Sequence, residues 1–125
     1  LAKDERVVVM DKTNARYLEK DKCAVPPVFA VIDVSFISLK LILPSVISVM
    51  ERNGEIIALI KPQFECEKRD LSKKGILVDK KKRDKVLSDV QNFCRNSGLV
   101  VAGLIPAPHP FDNKNQEYLI YLKIA

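Results

Sequence analysis

The sequence is poor in the residues that build most metal and hydrolytic sites. It has one histidine, His109, no tryptophan, four glycines, and three cysteines, Cys23, Cys66 and Cys94, without a C-x-x-C pair. A single histidine excludes a multi-histidine metal centre, and a Ser-His-Asp triad would have to be built on His109. An odd cysteine set of this spacing argues against a disulfide scaffold or a zinc ribbon and for a reducing compartment, so the expected location is cytoplasmic. Nor is there a glycine-rich phosphate loop, so a P-loop nucleotidase is not supported. What is present is a chain of 125 residues, 47% hydrophobic and 30% charged. That is enough for one domain, which at this length buries about two thirds of its unfolded surface and needs no disulfide or metal to stay folded.

No basic-apolar leader follows Leu1, and the numbered chain is expected to be a piece of a longer one. Residues 28–50 form an almost wholly apolar stretch of bilayer-spanning length. Asp33 and Lys40 lie inside it, each costing about 2.5–3.5 kcal/mol near a bilayer centre, and Pro44 would interrupt a spanning helix. The stretch therefore reads as a buried strand followed by a core helix.

Charge is concentrated in one window. Residues 68–85 hold nine Lys and Arg against three Asp, a net +6, whereas the whole chain is +5. Such a cluster attracts phosphate backbones by counterion release, with Lys80, Lys81 and Lys82 as its densest part. A solvated helix entrance is the alternative.

Read in order, residues 6–10 (RVVVM) are a strand candidate and residues 23–27 a loop. Residues 28–33 (VFAVID) look like a strand buried on both faces. Ser35 can cap a helix over 36–52 with Ile37, Leu41, Pro44, Val46 and Val49 on its apolar side, stopped by Asn53-Gly54. Residues 55–60 (EIIALI) are a strand ended by Lys61-Pro62. A helix over 82–97 presents Val86, Leu87, Val90, Phe93 and Cys94 and stops at Gly98. Strands over 99–105 and 117–124 follow, separated by a Pro-rich loop. The alternation predicts an α/β fold with a parallel sheet, and the last connection is too short for a crossover, so the final strand should return antiparallel.

This topology places chemistry at one edge, because ligands of open α/β sheets bind outside the carboxyl ends of the strands. Asp33 and Lys61 end two such strands, and Glu117 begins the antiparallel one, on that same rim. Each alone could be a surface charge. Together they form a candidate active-site edge, where a lysine beside an aspartate can orient a hydroxyl and accept its proton.

The strings TNARYL (13–18), DVSFIS (33–38), KPQFE (61–65) and NxEY (115–118) resemble, in order and spacing, the hemolysin A type of FtsJ-like ribosomal RNA methyltransferase. The resemblance covers essentially the whole chain but only the carboxyl-terminal half of the family's catalytic domain. It implies a partial Rossmann-like methyltransferase sheet, S-adenosylmethionine as donor, and ribose 2′-O-methylation of ribosomal RNA. Of the family's Lys-Asp-Lys-Glu set, the last three match Asp33, Lys61 and Glu117. The first lysine, the glycine-rich donor loop and an S4-type RNA-binding domain have no counterpart in residues 1–125. By the same resemblance Asn14 and Asp33 contact the donor, Lys61 takes or polarises the ribose hydroxyl proton, Asp33 orients Lys61, and Glu117 completes the charge network. A non-catalytic RNA-binding fragment is the competing expectation, and a membrane-active protein a weaker one. With its donor-loop strand absent, the strand over 28–33 should lie at a sheet edge, and the isolated chain is expected to be inactive and to self-associate.

Overall fold

The computed structural model describes residues 1, 3–108 and 114–125. His109, and with it any triad, lies outside the described residues. The fold is α/β, as the alternation requires. Its strands are β1 (Phe29–Ile32), β2 (Glu55–Ile60), β3 (Leu99–Pro106) and β4 (Tyr118–Ile124), and its helices are α1 (Leu39–Val49) and α2 (Lys80–Asn96). The sheet order is β1-β2-β4-β3, with β1 parallel to β2 and β4 antiparallel to both of its neighbours. The antiparallel return onto β3 is as expected. Its insertion between β2 and β3 is not legible locally, since both parallel strands offer it an edge.

The core lies between one face of the sheet and the two helices. Ile32, Ile56, Ala58, Ile60, Ile120 and Leu122 alternate inward, as period two demands, and meet Leu39, Ile42, Leu43 and Val46 of α1 and Val86, Val90 and Cys94 of α2. The expectation of a strand over 28–33 buried on both faces is corrected: β1 lies at the edge of the four described strands and buries Ile32 in the core. It leaves Phe29 and Val31 exposed because no described layer covers its other face.

Other expectations are corrected too. Residues 6–10 form no strand. The Asp4 carboxylate accepts from the Arg6 backbone N–H and pairs with its guanidinium, so the run starts in a turn, and Val8, Val9 and Met10 are exposed. A β-branched run becomes a strand only with a ladder partner, and this one has none. The first helix begins at Leu39, capped by Ser38 Oγ on the Lys40 N–H, not by Ser35. Phe36 has φ +65°, outside any right-handed helix, and this moves the start three residues on. Its apolar face shifts accordingly: Leu41 and Pro44 are exposed, while Leu39, Ile42 and Leu43 are buried. The stretch that has bilayer length is thus a short strand, a loop and an 11-residue helix, and among the described residues no helix is long and apolar enough to cross a membrane.

Tight turns start β2 and β3 at the sheet edge opposite the carboxyl ends of β1 and β2. A Cβ at Gly54 would lie 2.9 Å from the Glu51 carbonyl oxygen, so only glycine fits where the chain enters β2. Gly98, at φ +83°, ends α2 in the left-handed region where glycine alone is unstrained. The second helix starts two residues earlier than its apolar pattern implies, because the Asp79 carboxylate accepts from the Lys81 and Lys82 N–H groups.

Candidate active site at the carboxyl rim of the sheet

β1 and β2 run parallel, Ile32 facing Ala58, so the segments leaving their carboxyl ends run alongside each other, with Ser35 level with Lys61 when the register is continued. Asp33 follows β1 directly and Lys61 follows β2. Lys61 Nζ stands 2.6 Å from Asp33 Oδ1 and donates a second hydrogen bond to Ser35 Oγ at 3.0 Å. The lysine side chain is 13% exposed and the aspartate 62%, so the cation is sheltered while the carboxylate faces outward.

Glu117 precedes β4. Ile60 pairs with Tyr118, and continuing that register sets Glu117 opposite Lys61. Its carboxylate Oε2 accepts from Gln63 Nε2 at 3.2 Å. The rim therefore gathers all three predicted residues, two in direct contact and the third joined through Gln63, two positions along from Lys61.

Asn14 lies on a separate turn before β1. Its Oδ1 accepts from the Arg16 N–H and caps the short 3-10 turn Ala15–Tyr17. That turn is held against the middle of α1 by Ser45 Oγ, which donates to the Ala15 carbonyl at 2.6 Å. The basic window is divided too. Lys82 Nζ is bound to Asp70 Oδ1 at 2.8 Å, which holds the lysine above its ordinary pKa and the carboxyl below its own, and Arg83 donates to the Leu77 and Val78 carbonyls. Lys80 and Lys81 are exposed on the first turn of α2.

Four further residues shape the rim, and their roles are not readable from composition. Ser35 is the second acceptor for Lys61, and Gln63 links Glu117 to the turn after β2. Phe36 is 88% exposed, with its ring centroid 4.9 Å from that of Phe64. Glu65 accepts from Ser38 Oγ and from the Leu39 N–H. Burial pushes its carboxyl above the ordinary value, opposed by these two hydrogen bonds and by the charge of Lys40. All four lie in the DVSFIS and KPQFE strings or between them and the strand ends, so the signal was their spacing beside Asp33 and Lys61.

A sheltered lysine held by a carboxylate at the ends of two parallel strands can orient and polarise a hydroxyl, and can accept its proton once the lysine has given its own to solvent. Among the described residues no group of three or more His, Cys, Asp and Glu is placed to hold a metal ion. Comparison with known proteins gives the rim its context. The chain is 42% identical over 123 residues to "Putative rRNA methyltransferase YqxC" of Bacillus subtilis, covering 98% of this chain and 44% of that protein. It is 33% identical over 123 residues to "16S/23S rRNA (cytidine-2'-O)-methyltransferase TlyA" of Mycobacterium tuberculosis, covering 98% and 46%. The chain thus spans less than half the length of either relative. A solved structure described as "Putative hemolysin from Streptococcus thermophilus" superposes with a TM-score of 0.93 at 38% identity, over 100% of this chain and 46% of that one. The family model described as FtsJ-like methyltransferase matches residues 1–124. On that match, the chain belongs to the FtsJ-like methyltransferase family.

Proposed function

We propose that this chain is the carboxyl-terminal part of a methyltransferase domain, residues 1–125, that methylates ribose 2′-hydroxyls of ribosomal RNA in the cytoplasm with S-adenosylmethionine as donor. The observation that carries the reading is the Lys61–Asp33 pair, 2.6 Å apart at the ends of two adjacent parallel strands, with Glu117 beside it. When bound, S-adenosylmethionine supplies a methyl already activated by its sulfonium.

The residues at the rim suit that donor in charge. The Asp33 carboxylate is more than half exposed and can hold a cationic group while still orienting Lys61. Asn14, whose Oδ1 is spent on its own turn, would contribute to the donor site only through its remaining amide group. Lys61 Nζ meets the ribose hydroxyl: as an ammonium it polarises the hydroxyl by donating to its oxygen, and as a free amine, after giving a proton to solvent, it takes the hydroxyl proton as the oxygen becomes a nucleophile. Glu117, acting through Gln63, steadies the turn that carries Lys61. Positioning and fixed charge do most of the work, because the methyl needs no further activation. The exposed Phe36 ring beside the pair offers a flat apolar surface of the kind on which nucleobases stack.

The direct test is methyl transfer from labelled donor to ribosomal RNA by the full protein, mapped by resistance of the modified linkage to alkaline cleavage. Transfer to a base, or none, overturns the reading.

RNA phosphates are expected to meet Lys80 and Lys81, with Lys82 contributing less because Asp70 already holds it. Neutralising Lys80 and Lys81 should weaken binding of all RNA sequences alike and flatten the salt dependence by about 0.7–0.9 per lost contact. Adding Lys82→Gln should change the slope little further. An unchanged slope for the first pair returns the cluster to a solvated surface.

Taken alone, the chain presents the open edge of β1 with Phe29 and Val31 uncovered. Such an edge recruits strands, so the isolated chain is expected to self-associate, to bind donor weakly and to be inactive. A monomer in sedimentation at tens of micromolar, together with micromolar donor affinity by calorimetry, would contradict this.

A further inference from the structure

The connection from β1 to α1 runs from Asp33 to Ser38 with neither helix nor strand. The connection after β2 is different in kind. It opens with a 3-10 turn, Pro62–Phe64, in which the Phe64 N–H donates to the Lys61 carbonyl at 2.9 Å and the Glu65 N–H to the Pro62 carbonyl at 3.0 Å. Lys61 and Glu65 are thus the two ends of one stiff unit.

The two connections are joined at three levels: Asp33 and Ser35 with Lys61, the Phe36 ring with the Phe64 ring, and the start of α1 with Glu65. At the last level one carboxylate uses both oxygens. Oε2 accepts from Ser38 Oγ at 2.5 Å and Oε1 from the Leu39 N–H at 2.7 Å, one of the donors that a helix start leaves without an internal partner. Beyond these contacts, Val34 and Ile37 are half-buried against the core and hold the loop from inside, leaving its outer turn to the clamp. Phe36 sits at φ +65° with its ring almost wholly exposed, a backbone region that an L side chain holds only when constrained from outside. On its far side Glu65 borders a cavity of about 520 Å³ lined also by Ser38, Phe64 and Val86, so close packing does not keep the two connections together there. The clamp is kept although burial disfavours the charge of Glu65.

We propose that Glu65 is a positioning residue: its carboxylate pins the Asp33 loop to the Lys61 turn and so sets the geometry in which Lys61 meets the acceptor hydroxyl. The inference rests on the reading above, and a measurement independent of activity separates the two.

The test compares Glu65→Ala and Glu65→Gln with the unaltered full protein in rate, donor KM, melting midpoint and acylation of Lys61 by an amine-reactive reagent, read by peptide mass spectrometry. Because displacement of a reacting group by about 1 Å costs up to about 10²-fold, kcat of Glu65→Ala should fall roughly 10- to 100-fold, well below the melting transition, with donor KM changed less than about twofold. Lys61 should acylate several-fold faster, since the Asp33 loop that shelters it is released. Glu65→Gln, which keeps one acceptor oxygen, should fall between. Combining Ser38→Ala with Glu65→Ala should cost no more than the larger single change, as expected of two parts of one contact. A lowered melting midpoint with kcat and Lys61 acylation unchanged would overturn the inference. If Glu65→Ala does not fold, Glu65→Gln carries the same readouts. If the unaltered protein transfers no methyl, the functional reading falls, and the acylation rate alone decides the clamp: faster supports it, unchanged overturns it.

Discussion

Replacing Lys61 by alanine in the full protein is expected to lower methyl transfer to ribosomal RNA by roughly 10²- to 10⁴-fold, the usual contribution of a positioned acid–base group. Donor affinity and the melting midpoint should stay near their unaltered values. Lys61 acts on the acceptor, and its ammonium forms one partly exposed ion pair whose loss costs the fold little. Asp33→Ala should behave differently. It leaves Lys61 with Ser35 as its remaining partner and removes the outward carboxylate suited to the donor's charge, so both rate and donor affinity should fall. A Lys61→Ala protein retaining more than about a tenth of the rate would overturn the assignment, because no proton-transferring role is that dispensable.

The largest effect on stability is expected in α1. Leu43 is fully buried in the contact of α1 with the sheet, and Leu43→Ala should destabilise by about 2–5 kcal/mol, the range for a leucine whose cavity the surroundings cannot fill. Leu41, two residues earlier, is 41% exposed, and its alanine variant should lie within about 0.5 kcal/mol of the parent. Urea unfolding of the two variants measures the difference directly. Equal losses would mean that the helix is rotated from the orientation described.

That pair of leucines also marks how far the sequence can be read. A run of four apolar residues, LILP within residues 41–44, does not show which side faces inward until the helix start is known. The start depends on Ser35 or Ser38, and both are good caps. The choice between them is made by Glu65, 26 positions away from Leu39, and by the left-handed Phe36, neither of which a local pattern reveals. Where boundaries are local the reading is close: β2 is bounded by Gly54 and Pro62 and was legible to the residue, and Gly98 marks the end of α2. The candidate strand at residues 6–10 failed because strand formation needs a partner, and a partner is not a local property. At the site, Asp33 and Lys61 were legible because strand ends of a parallel sheet converge by geometry. Glu117 reached the right rim for the same reason, but its link through Gln63 depends on side-chain placement. Asn14 had no such geometric support, and it caps its own turn.

The strand order has a consequence for how the protein is made. β4 follows β3 in the chain yet lies between β2 and β3, hydrogen-bonded to both along its length. Until residues 118–124 have left the ribosome, β2 and β3 have no ladder between them, and the inner residues Ile56, Ile60 and Leu99 line two separated edges. The early elements, β1, α1 and β2, can form during synthesis because their contacts are near in sequence. Joining of β2 to β3 must wait for β4, the last of these four strands to be made, so until then the nascent chain leaves the edges of β2 and β3 unpaired and open to chaperones.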